Sequence, residues 1–214
     1  MGNLLNPNNP VMRFIGKAVD CIILSMVFTL CCLPIVTIGP ALTGLYYAVV
    51  KNIRRDRSYA VASFFKGFKD NLKQGIPVGL IFILLTGILC FNIYFTVNAA
   101  TTTWLRLLRY FYLAVLVILW MVGIYLWPVL SRVSLKIKDL FRMCLFFAFR
   151  HFLTTIVCLI VVLGAAFLIW TSSGLFMVFV PAITALIISF SMEKILKRYT
   201  PDTTDEDADT WYLE

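Results

Sequence analysis

Several apolar blocks of eighteen residues or more run along this chain, separated by short polar stretches. Blocks of that length argue for transmembrane helices. They place helices at about 14–33, 40–53, 75–97, 107–131, 152–170 and 175–196, the last expected to kink at Pro181. The expected fold class is all-α: a polytopic membrane helix bundle of six transmembrane helices in three hairpins, one domain over 1–198. Residues 1–12 form a polar lead rich in Pro and Asn. The tail over 199–214 carries six acidic residues and, from Pro201, no basic one, and is expected to be disordered.

The first block cannot be one straight helix. From Ala18 to Val50 the only charge is Asp20. As helix this run would extend about 50 Å at 1.5 Å per residue, against a hydrocarbon core of about 30 Å. The stretch LPIVTIGPALTG, Leu33–Gly44, is where it must turn. Pro34 and Pro40 lack an amide proton and disfavour helix in the residue before them. Gly39 can adopt positive φ at little cost, and Pro40 suits the first turn of a new helix. Thr37 and Thr43 can satisfy the backbone groups freed at the turn. Two readings stand: a tight turn at the outer face, or a broken helix lining a cavity.

A second pattern is amphipathic. In Ala60–Gln74, AVASFFKGFKDNLKQ, the residues Phe64, Phe65, Phe68 and Leu72 make an apolar stripe opposite Lys66, Lys69, Asp70 and Lys73. Such a helix suits the membrane interface, with its lysines at anionic headgroups. It equally suits packing on the cytoplasmic end of the bundle, or docking a partner. Phe64, Phe65, Lys66, Phe68, Lys69 and Lys73 are therefore the candidate partner or lipid contacts. Gly75 and Gly79 open the next helix with the spacing that lets another helix come close.

Composition supports the membrane reading and charge orients it. The chain is 61% hydrophobic and 14% charged, where soluble domains carry about 25% charged residues. The net charge of +8 does not point to nucleic acid, because the basic residues fall between apolar blocks. Seventeen of the nineteen lie on one side of the expected topology; Arg106 and Arg109 lie on the other. The positive-inside rule then makes both termini cytoplasmic, in a multi-pass protein of the cell membrane. Trp104 and Trp170 fall at the outer aromatic belt and Trp127 near the inner one.

Chemistry is sparse. None of the six cysteines forms a CxxC pair, and His151 is the only histidine. No metal, cofactor or catalytic set is expected, and no enzyme activity. Asp20 and Glu193 are the acids within apolar blocks. Asp20 lies three residues after Lys17, and Glu193 four before Lys197, so pairing along the helix is expected. A weak internal repeat is also readable: Gly44-Leu45-Tyr46 leads into Phe68–Leu72, as Gly123-Ile124-Tyr125 leads into Phe149–Leu153.

The stretch LPIVTIGPALTGLYY, followed by FFKGFKDNLKQG and preceded by NPNNPVMRFIGKAVDCIIL, resembles the YesL family, small integral membrane proteins of Gram-positive bacteria. The resemblance covers about residues 6–80, and the family often has Asn where this chain has Ser25. It implies that Pro34, Thr37, Gly39, Pro40 and Tyr46 form a shared structural or functional turn. The family is a domain of unknown function, often encoded beside sugar transporters of the ATP-binding-cassette type. It thus implies an accessory or regulatory role in carbohydrate uptake, with transporter subunits as partners besides the lipid bilayer. The alternative is a small self-contained permease built on the broken element at Pro34–Pro40. The partner's identity, homo-oligomerisation and the ligand are not readable from the sequence.

Overall fold

The computed structural model describes residues 10–54, 59–98, 103–133, 135–172, 174–196 and 198–199. Among them every regular element is helical. Helix α1 is Pro10–Cys31, α2 is Ile38–Ala48, α3 is Ala60–Asp70 and α4 is Leu72–Asn98. Then come α5, Thr103–Leu130; α6, Ile137–Arg150; α7, Phe152–Thr171; and α8, Val180–Leu196. Short 3₁₀ turns at Ile35–Thr37 and Leu175–Val178 lead into α2 and α8, and a π-helical turn, Val49–Arg54, prolongs α2. The expected acidic tail from Pro201, and residues 99–102 of the turn between the third and fourth blocks, lie outside the described residues.

Among the described residues four helices are long and apolar enough to cross a membrane: Phe14–Cys31, Leu72–Asn98, Leu107–Leu130 and Phe152–Thr171. Their outward faces carry large exposed apolar residues, including Met26, Leu84, Phe91, Phe111 and Phe167, as lipid-facing helices do. The other two blocks read as crossings behave differently. Helix α8 has 17 residues, and α2 has 11 before its π-helical turn. From Gly39 to Ala48 every residue of α2 except Leu42 is buried. Helix α2 is therefore the interior element of the bundle, touching α1, α3, α4, α5 and α8.

Two further details depart from the pattern reading. Gly39 does not use positive φ; among the described glycines only Gly174 does, at 87°. Pro181 does not kink a long helix. Gly174 and the 3₁₀ turn end the α7 segment, α8 starts at Val180, and Pro181 falls in its first turn, where no amide proton is needed.

The order of a helix with a buried run, an amphipathic helix and a long apolar helix occurs twice, as α2–α3–α4 and as α5–α6–α7, the buried run of α5 beginning at Met121. In both, the amphipathic helix and the apolar one are separated by a single residue, Asn71 or His151. Two apolar clusters form the core. One lies around α5 and α6, with Tyr125, Leu126, Val129, Leu140 and Phe147; the other joins α1, α2 and α3 through Leu24, Ala41, Leu45, Val49 and Phe64.

Candidate functional site

The turn at Pro34 is tied by one side chain. The Thr37 hydroxyl lies 2.6 Å from the Cys31 carbonyl and 2.8 Å from that of Pro34, so its proton serves the end of α1 and the turn itself. Beyond it, the absence of side chains brings α2 onto α4. A Cβ on Gly39 would run into the Gly75 carbonyl; one on Gly75 would lie 2.9 Å from Pro40 Cγ, and one on Gly79 3.0 Å from Gly39 Cα. The paired glycines of α4 and Gly39 thus let two backbones meet, which is the use of such spacing in membranes. Thr43 donates back to the Gly39 carbonyl at 3.1 Å.

Tyr46 is not part of that turn. It lies further along α2, 4% exposed, and its hydroxyl donates to Glu193 Oε1 at 3.1 Å. The same carboxylate oxygen takes the guanidinium of Arg132, which follows α5. The side chain of Arg132 is wholly buried and that of Glu193 is 2% exposed. Three elements remote in sequence thus converge on one ion pair. Glu193 finds its partners across the bundle, where the sequence suggested Lys197, which lies outside the described residues. Charges removed from water persist when paired and hydrogen-bonded.

Around this pair the interior polar groups connect helices. Asn52 donates to Asp20 Oδ2 at 3.0 Å, joining the π turn to α1. Arg54 donates to the Ser189 carbonyl at 2.8 Å and lies over the ring of Phe190, 4.9 Å from its centre. Ser25, fully buried, donates to the Phe179 carbonyl at 3.3 Å and accepts from the Ala182 amide at 3.1 Å, fixing the start of α8 on α1. Tyr125 and Thr155 share a 2.8 Å bond between α5 and α7. Among the described residues no three His, Cys, Asp or Glu side chains gather as metal ligands, and all six cysteines are free thiols. Burial pushes the Cys144 thiol on α6 up to about 12, so it stays protonated and unreactive.

The amphipathic helix α3 packs on α2 through Ala60, Ser63, Phe64 and Gly67. Phe64 is fully buried, so it is a core residue and not a lipid or partner contact. It stacks on Phe68, which is half-buried. Phe65, at 40% exposed, points away from the bundle together with Lys66 and Lys69; Lys73 is exposed on α4. Gly67 sits on the ring of Tyr47. Helix α6 repeats the plan: Leu140, Cys144, Phe147 and Ala148 face inward, while Phe146, Phe149 and Arg150 face out. A groove between α4 and the start of α6 is lined by Lys73, Gln74, Lys136 and Lys138. At the end of α6, burial and the nearby Arg150 and Arg198 lower the proton affinity of His151.

A cavity of about 410 Å³ lies in the middle of the bundle. Its walls are α2 (Leu42, Leu45), α4 (Phe82), α5 (Trp120), α7 (Ala165) and α8 (Ile188), among others. Among the described residues no charged one lines it. Thr37 and Thr43 do not reach it, whereas the ring of Tyr46 does. Trp127, expected at the inner belt, lines it too and packs edge-on against Phe82 with ring centres 6.1 Å apart. Its size is that of a small-molecule site, roughly 300–1,000 Å³.

The sequence signals located the glycine contact and the turn but not the ion pair, since Arg132 sits in a basic segment like its neighbours. Residues 22–93, about a third of the chain, match the family model described as "Protein of unknown function, DUF624". No curated protein matches the chain. No solved structure matches it either.

Proposed function

We propose that this chain is a non-catalytic integral membrane protein that acts as an accessory or regulatory component of carbohydrate uptake, docking on a sugar transporter of the ATP-binding-cassette type. The docking part of this reading is carried by the outward faces of α3 and α6. Each helix buries one narrow face and leaves aromatic and basic side chains side by side: Phe65, Lys66 and Lys69 on α3, and Phe146, Phe149 and Arg150 on α6. Protein interfaces are enriched in aromatics and in Arg, the residue types that the outer face of α6 presents. The positive-inside distribution of basic residues supports a cytoplasmic position for these faces and for both termini. The sugar-uptake part rests on the sequence resemblance.

The competing reading, a self-contained sugar permease, is disfavoured by the cavity. A sugar needs a wall of hydrogen-bonding groups, because its hydroxyls lose water on binding. The walls here are apolar. The buried polar side chains instead join helices to one another.

The test is affinity purification of the tagged protein from its native membrane, with mass spectrometry of what accompanies it. Permease or ATPase subunits in stoichiometric amounts are expected, and their loss when Phe65, Lys66 and Lys69 are replaced together. A protein recovered alone, with sugar uptake unchanged in a deletion strain, contradicts the proposal.

A further inference from the structure

We infer that the central cavity binds a hydrocarbon chain of a bilayer phospholipid, taken in sideways between α4 and α7. The chemistry of the walls selects the ligand. The two hydroxyls that reach the cavity are engaged elsewhere: Thr184 donates to the Val180 carbonyl at 2.7 Å, and the Tyr46 hydroxyl is held by Glu193, which leaves the indole N–H groups of Trp120 and Trp127 as the other polar groups of a largely apolar wall. A ligand with hydrogen-bonding groups would lose water and gain little there, whereas a hydrocarbon chain loses nothing.

The packing of the helices supplies the way in. At the basic end the bundle is closed: α5 is buried from Met121 to Tyr125, and α7 buries Thr155 and Cys158. Further from that end it loosens. Between Leu107 and Trp120 no residue of α5 is buried, and none of α7 beyond Cys158. Helix α7 packs on α5 and α8 but makes no substantial contact with α4. On α7 the small residues Ala165 and Ala166 face the cavity, while Leu163 and Phe167 beside them are exposed as a lipid-facing surface is. The cavity is thereby continuous with the hydrocarbon around the bundle, where phospholipid chains are the abundant ligand. Its inner wall is α2, which other helices cover; Leu45 is only 3% exposed. The inference is independent of any transporter partner, since a chain in the cavity needs no second protein.

The test uses the full chain reconstituted in vesicles of phosphatidylethanolamine and phosphatidylglycerol, doped with phosphatidylglycerol bearing a mid-chain diazirine. After photolysis, adducts are mapped by mass spectrometry. Adducts on Leu42 and Leu45 are expected in addition to those on outward residues such as Leu84 and Phe167. Ala165→Phe, which fills the cavity, should abolish the α2 adducts and leave the outward ones. If that variant does not fold, Ile188→Trp fills the cavity from the opposite wall and is read in the same way. Adducts confined to outward faces overturn the inference, as does labelling of α2 that survives both fillings. Labelling of α2 by a diazirine fatty acid, but not by the phospholipid, overturns the source named here.

Discussion

Tyr46 and Arg132, from other parts of the chain, both bond Glu193, so its removal takes an ion-pair partner from a buried guanidinium. Breaking one side of such a pair costs about 3–5 kcal/mol. Glu193→Ala should therefore lower thermal stability in detergent by that amount. Replacing Glu193 and Arg132 together with Leu and Met should restore most of it. Tyr46→Phe removes one hydrogen bond to a charged group and should cost less, about 1.5–3 kcal/mol. A second residue-scale prediction concerns His151. Burial and the neighbouring Arg150 and Arg198 lower its proton affinity, from a usual value of 6.5. The unfolded chain therefore takes up a proton first as pH falls, and the stability His151 contributes is complete above about pH 6.5 and declines below it. Unfolding followed from pH 7.5 to 5.5 should show this decline in the wild type and less of it in His151→Gln.

At the scale of elements, the contact of α2 with α4 depends on what Gly39 lacks. Gly39→Ala drives a methyl into the Gly75 carbonyl, an overpacking of backbone on backbone that should cost about 1–3 kcal/mol. Gly164, in α7, has nothing within 4 Å of an added Cβ. Gly164→Ala should be neutral or stabilising by about 0.5–1 kcal/mol, as Ala is in helices. Equal effects of the two in a thermal-shift assay would contradict the packing described. The spacing of Gly75 and Gly79 was legible because small residues four apart leave a groove on one helix face. The fate of α2 was not legible. Its composition is that of a membrane crossing, and burial inside a bundle and immersion in lipid select the same apolar residues. By helical spacing Phe64, Phe65, Phe68 and Leu72 form one apolar stripe. The contact with α2 instead runs through Ala60, Ser63, Phe64 and Gly67, because small residues let α3 come close. The partners of Glu193 lay 61 and 147 residues away, beyond any rule based on helix spacing.

For the whole molecule, the central claim is an arrangement across the membrane. On the proposed reading the basic faces of α3 and α6 belong to one side, and the far ends of α4 and α7 to the other. The groove lined by Lys73, Lys136 and Lys138 brings the start of α4 together with the start of α6. Helices α4 and α7 then leave that level as apolar runs of 27 and 20 residues, each enough to cross a hydrocarbon core of about 30 Å. The most direct measurement is single-cysteine labelling with a membrane-impermeant maleimide, in a background lacking the six native cysteines, on right-side-out and inverted vesicles. Cysteines at Lys66 and Lys138 should react only in inverted vesicles, and cysteines at Asn98 and Ser172 only in right-side-out ones. Reaction of Lys66 and Lys138 from opposite sides, or of Asn98 from the same side as both, would contradict the account.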